Sequence, residues 1–191
     1  MTSRRLCVLV ALIGLLAQGC ASARLRRATV DGLREADALA ARGCHACLVD
    51  ALAIYERLTP NEPVQRQLVD RRVIRTSLLL ALRAKELGLP AQPHLARART
   101  RIGPSPTEAD LERLELADAL PSNPAGLSRE QQDDERGRLA ASRPRIDARL
   151  ARPRGASDDA ELDAYLDLTL VCTARGQLPK GVTIDALVAA G

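Results

Sequence analysis

Along most of the chain, apolar residues recur at intervals of three and four, the spacing of helices with one buried face. Residues 29–42 place Val30, Leu33, Ala36 and Ala40 on one side, and Gly43 interrupts them. A second helix is predicted over 44–58, with Cys44, Cys47, Leu48, Ala51, Tyr55 and Leu58 in phase and Pro60 and Pro63 ending it. The third runs from about Val64 to Leu87. Within it Leu78 to Leu82 are apolar in succession, which leaves no wet face and predicts a central position. A fourth starts at Ser105-Pro106-Thr107-Glu108, with Ser105 as cap, Pro106 in the first turn and Glu108 completing a capping box; it ends at Leu120 before Pro121. Ser157 caps a helix over 158–175 whose apolar face holds Leu162, Tyr165, Thr169 and Cys172, and Ile184 to Ala190 form a last short helix. No segment alternates with period two, so no strand is predicted. The fold class is all-α, built from antiparallel helical hairpins.

Two stretches break this pattern. Residues 121–156 repeat the capping signal at Ser128-Arg129-Glu130-Gln131, but the residues beyond it are strongly polar and are cut by Pro144 and Pro153. They read as a solvated, Arg-rich linker with one weak helix. At the other end, Met1 to Arg5 is basic and Leu6 to Leu16 is an unbroken apolar run. As a helix that run spans about 16 Å, roughly half the hydrocarbon thickness of a bilayer, which suits an export signal better than a membrane span.

Composition narrows the reading. The chain has 191 residues and a 46% hydrophobic share, enough for a continuous core. Tyr55 and Tyr165 are its only aromatic residues, so Leu, Ala, Val and Ile must fill that core. Stacking sites for bases, flavins or sugars lack their usual side chains, and no small-molecule substrate is evident. The formal charge is +4, and Arg4 and Arg5 would leave with a leader. Acidic residues are interspersed among the arginines, so the charge pattern does not predict nucleic-acid binding.

Leu16-Ala17-Gln18-Gly19-Cys20 resembles the lipobox of bacterial lipoproteins. The resemblance implies a signal peptide over 1–19 cut before Cys20, and a diacylglyceryl group on the Cys20 thiol. It also implies a short lipidated tether over 20–28, with Arg24, Arg26 and Arg27 near the headgroups. Ala21 after the cysteine implies sorting to the outer membrane, facing the periplasm. The departures are Ala17 where Leu is usual and Gln18 where a small residue is usual.

Ala51, Tyr55 and Pro63 resemble the small, aromatic and terminating residues of the second helix of a tetratricopeptide repeat. This implies a partial solenoid of stacked helix pairs over 29–120, with the 157–191 helices packed on it and a face for protein partners. Leu58, Glu35 and Leu39 depart from the repeat pattern, and no second copy at a period of about 34 residues is visible.

For chemistry the chain offers little. Cys44-His45-Ala46-Cys47 puts a Cys-x-x-Cys at a helix start, where thiolates are stabilised. It lacks the preceding strand of a thioredoxin-like site, and Leu48 stands where a haem-attachment motif needs His. The two cysteines are expected on an apolar face. With Cys7 cleaved away and Cys20 acylated, Cys44, Cys47 and Cys172 remain for disulfide or redox roles. A long bridge from either of the first two to Cys172 is preferred over Cys44–Cys47. The acidic clusters 133–135 and 158–159 and the arginines Arg143, Arg145, Arg149, Arg152 and Arg154 read as solvated faces. No catalytic set and no metal site emerges, and no cofactor beyond the covalent lipid is expected. The reading is a lipid-anchored envelope protein, not an enzyme, that scaffolds an envelope protein partner. The alternative is a thiol-redox or metal-handling lipoprotein using Cys44 and Cys47.

Overall fold

The computed structural model describes residues 25–104, 106–123, 127–152, 157 and 159–173. The expected signal peptide, the lipobox with Cys20 and the helix over 184–190 lie outside these residues. The described residues form seven helices and no strand: α1 (25–40), α2 (His45–Arg57), α3 (Pro63–Leu87), α4 (Gln92–Ile102), α5 (Glu108–Ala119), α6 (Arg129–Ala151) and α7 (Ala160–Thr173). The chain divides into two compact units, Met1–Val73 and Ile74–Gly191, with α3 contributing to each. The helical domain expected over 29–120 includes residues of both units.

In the first unit, α1 and α2 form an antiparallel hairpin. A Cβ built on Gly32 would come within 2.6 Å of Leu58 Cδ2, while Asp37 accepts a hydrogen bond from the Tyr55 hydroxyl, so the two helices approach along their length in opposite directions. Leu33 and Ala36 of α1, Leu48, Ala51, Leu52 and Tyr55 of α2, and Val69 and Val73 of α3 are buried. Val30, by contrast, is exposed. Pro63 does not merely end α2; it is the first residue of α3, where its missing N–H costs nothing. The tether expected over 20–28 is already helical from residue 25.

In the second unit, Leu78, Ala81, Leu82 and Ala84 of α3 enter a core shared with Leu95 and Ala98, Leu114, Leu116 and Ala117, Ile146 and Leu150, and Leu162, Leu166 and Leu170. The central position predicted for the Leu78–Leu82 run is found. α5 packs against α4, α6 and α7. α3 ends in a Schellman motif: Gly88 takes φ 69°, and the N–H groups of Leu89 and Gly88 reach the carbonyls of Ala84 and Lys85 at 2.7 and 3.2 Å.

Three sequence expectations need correction here. Residues 129–151 are one continuous helix and not a linker. Its capping box, Ser128 with Gln131, is the one expected, but its attachment to the core rests on few apolar residues, chiefly Ile146 and Leu150, so its sequence looks polar. Pro144 sits inside it on an exposed surface and removes one backbone hydrogen bond without breaking the helix. α4 was not anticipated at all, although Pro93 in its first turn and Leu95, Ala98 and Ile102 at helical spacing mark it. Finally, the cap of α5 is Thr107, whose hydroxyl accepts the N–H of Asp110 at 3.1 Å.

Candidate functional site

Cys44 and Cys47 are joined by a disulfide, with Cα atoms 5.1 Å apart. Gly43, at φ 66°, turns the chain out of the preceding segment, and Cys44 in extended conformation caps α2, its Sγ accepting the N–H of Cys47 at 3.0 Å. The expectation of a shared apolar face fails for this reason. A cap residue is off the helical wheel, so Cys44 is exposed and Cys47 only half-buried. The preferred long bridge is corrected as well: Cys172 is a free, exposed thiol, placed off the apolar face of α7. Closing a ring of four residues removes little chain entropy, about 2 kcal/mol against more than 4 for a bridge across a hundred residues. No acidic residue stands in the first turn of α2 to oppose negative charge on sulfur.

A second place is an open cleft of about 300 Å³ in the Ile74–Gly191 unit, lined by Leu82, Lys85 and Glu86 of α3, residues 120–123, and Thr169 and Thr173 of α7. Lys85 is buried at its base. Its ammonium donates to the carbonyls of Asp118, at 2.7 Å, and of Leu120, so a positive charge closes the C-terminal end of α5 where the helix dipole favours it. Asn123 N–H donates to the Lys85 carbonyl at 2.7 Å, and Glu135 accepts the Ser122 N–H at 2.9 Å. The turn 120–123 is thus pinned from α3 and α6. Burial pushes the Lys85 ammonium down to about 8; Asp118 and Glu135 oppose that shift and Arg138 adds to it. Nearby, the Tyr165 hydroxyl donates to Glu86 at 2.5 Å; burial and this bond raise its pKa well above the usual phenol range.

The Lys85 shift has a measurable sign. Between about 8 and 10.5 the unfolded chain holds a proton that the folded chain has released, so stability rises with pH through that window. From pH 7.5 to 9.5 the wild type is expected to gain roughly 2 kcal/mol relative to Lys85→Met, read from urea unfolding at each pH. Parallel pH profiles for the two proteins would show that Lys85 stays charged in the fold.

The third place is a cluster of ions between α5, α6 and α7. Asp163 accepts from Arg113 Nε at 2.9 Å and Nη2 at 2.8 Å, from Arg149 Nη2 at 2.8 Å, and from the Ser157 hydroxyl. Arg149 also binds Asp167 at 2.5 Å and Glu112 at 3.0 Å. The Arg113 and Arg149 side chains are only 5% and 10% exposed. Burial alone would raise the Asp163 carboxyl; the hydrogen bonds from Arg113, Ser157 and Arg149 outweigh it and hold the group well below the usual carboxylate range. Asp159, bound by Arg75 at 3.5 Å, is raised because its desolvation outweighs that partner.

Asp133, Asp134, Arg145 and Arg152 are exposed, as expected, whereas Arg149 is largely buried in the ion cluster. Arg143 pairs with Asp147, Arg145 with Glu115, and Arg152 with Glu112, while Glu135 is buried. The ion cluster is structural: Arg113 and Arg149 face Asp163, Asp167 and Glu112. Among the described residues, no group of three His, Cys, Asp or Glu side chains is placed to hold a metal ion. None of the described helices is long and apolar enough to cross a membrane. No protein family, curated protein or solved structure matches this chain.

Lys85, Arg113 and Asp163 were not singled out from the sequence. Lys85 carried one signal: with Lys180 it is the only lysine in an arginine-rich chain, and it lies three residues after the apolar run Leu78 to Leu82.

Proposed function

We propose that the protein is a lipid-anchored component of the bacterial envelope, held by acyl groups on Cys20, whose helical body scaffolds a partner protein. The anchor rests on the lipobox-like Leu16 to Cys20, and the outer-membrane address, facing the periplasm, on Ala21 after it. The observation that carries the reading is the Cys44–Cys47 disulfide, whose Cys44 end is exposed. Such a bond persists in an oxidising compartment and is reduced by cytosolic thiols, so it fits a chain that has been exported. The interaction role is supported at the start of α3, where Val64 and Leu68 lie one turn apart on one face and are 76% and 41% exposed. The α1–α2 hairpin, with Ala51 and Tyr55 at its seam, fits a degenerate tetratricopeptide-like pair that presents such a face.

One experiment reads both parts. The full-length protein is crosslinked in intact cells, and the membranes are then partitioned with detergent. Wild type is expected in the detergent phase with a discrete crosslinked partner. Cys20→Ala is expected in the aqueous phase, and Val64→Asp with Leu68→Asp is expected to lose the partner at least fivefold while keeping the anchor. Wild type remaining aqueous overturns the anchor, and a partner yield unchanged by the double substitution overturns the α3 face.

A further inference from the structure

The geometry points to a second activity: the Cys44–Cys47 disulfide exchanges with the thiols of a dithiol protein, with Cys44 as the sulfur that is attacked. Three observations place it apart from a structural staple. The bond closes only a four-residue ring, and neither sulfur belongs to the buried core formed by residues such as Leu48, Ala51 and Tyr55. The cap on α2 has Cys44 Sγ accepting the Cys47 N–H, a contact that a reduced sulfur can make as well as a bridged one. And Cys44 is exposed, so an incoming thiolate reaches it without local unfolding.

The same cap favours the second displacement, in which Cys44 is the leaving sulfur. Once the pair is reduced, the Cys44 thiolate faces the Cys47 N–H and the positive end of α2, with no acidic side chain in that first turn. A stabilised thiolate is a good leaving group, and this stabilisation makes the disulfide oxidising. In the exchange, a partner thiolate attacks Cys44 Sγ, the S–S bond breaks, and Cys47 departs as a thiolate that takes up a proton. The partner's second thiolate then attacks the partner's own sulfur in the mixed disulfide and expels the Cys44 thiolate. Two electrons pass from the partner dithiol to the Cys44–Cys47 pair; the partner leaves as a disulfide.

Cys172, a free and exposed thiol in the same chain, supplies an internal reference. The purified full chain is reduced and treated with limiting iodoacetamide at pH 6, and peptides are mapped over time. Cys44 is expected to be alkylated at least tenfold faster than Cys172. Separately, the oxidised chain is mixed with a reduced two-cysteine peptide, and peptide oxidation is expected at least tenfold faster than with the same concentration of oxidised glutathione. Cys44→Ser, which keeps a capping oxygen, is expected to retain the helical circular dichroism and lose this oxidation, as is Cys47→Ser, since neither variant can hold the disulfide. Alkylation of Cys44 no faster than Cys172, or peptide oxidation no faster than glutathione gives, overturns the proposal.

Discussion

Replacing Asp163 with Ala is expected to cost the Ile74–Gly191 unit about 3–5 kcal/mol, the range for removing one partner of a buried ion pair. The size of the loss comes from what is left behind. Arg113 and Arg149 are both buried, and Asp163 accepts three hydrogen bonds from them. Arg149 keeps Asp167 and Glu112, but Arg113 loses its two-point partner and retains Asp110 at 3.5 Å. A guanidinium stripped of that partner stays desolvated without full repayment in hydrogen bonds. Urea unfolding followed by far-UV circular dichroism measures the loss, and amide exchange locates it in α5, α6 and α7. A loss below about 1 kcal/mol, the value for exposed pairs, would mean that water reaches the cluster freely. Acid should act in the same direction. Because the folded carboxyl is held below its unfolded value of about 3.9, the stability it provides is complete above that pH. It is lost as pH falls from there through the folded value.

In the first unit the largest effect is expected from Tyr55→Ala, at about 3–5 kcal/mol. Tyr55 is the only aromatic side chain in that unit and is 1% exposed. Its ring fills the seam between α1 and α2, and its hydroxyl donates to Asp37, which Arg72 of α3 also binds at 3.0 Å. Tyr55 therefore joins three helices, by volume and by a hydrogen bond. Tyr55→Phe separates the two contributions: it keeps the volume and is expected to cost only about 0.5–1.5 kcal/mol, since Arg72 still satisfies Asp37. Protection of α1 and α2 amides against exchange reads both variants. Equal losses for the two substitutions would move the weight from packing to the hydroxyl.

How far the sequence could be read depended on whether the cause of a feature lay nearby in the chain. The Leu78–Leu82 run and the Ser128–Gln131 capping box are local, and both appear as expected. The pairings of Arg145 and Arg149 in α6 are not local. Arg145 meets Glu115, and Arg149 meets Glu112 and Asp163, partners 14 to 37 residues away, so the stretch looks like a wet linker until the helices are assembled. The same holds for Lys85, whose acceptors are main-chain carbonyls 33 and 35 residues on and carry no residue-type signature. The Cys44–Cys47 bridge was misjudged for a geometric reason. Two positions three apart inside a regular helix resist a disulfide, but one of these positions is the cap, where the backbone is extended and the sulfurs can meet.

Pro144 gives α6 an inner boundary. Its ring nitrogen offers nothing to the preceding turn, so the ladder of main-chain bonds lacks one rung between an earlier run and a later one. The earlier run is mostly solvent-facing and the later one holds Ile146, Arg149 and Leu150. Melting that starts at Ser128 and stops at the imino acid would therefore release the Glu135 clamp on Ser122 and the Leu139 contact, while the segment behind keeps its seat in the core.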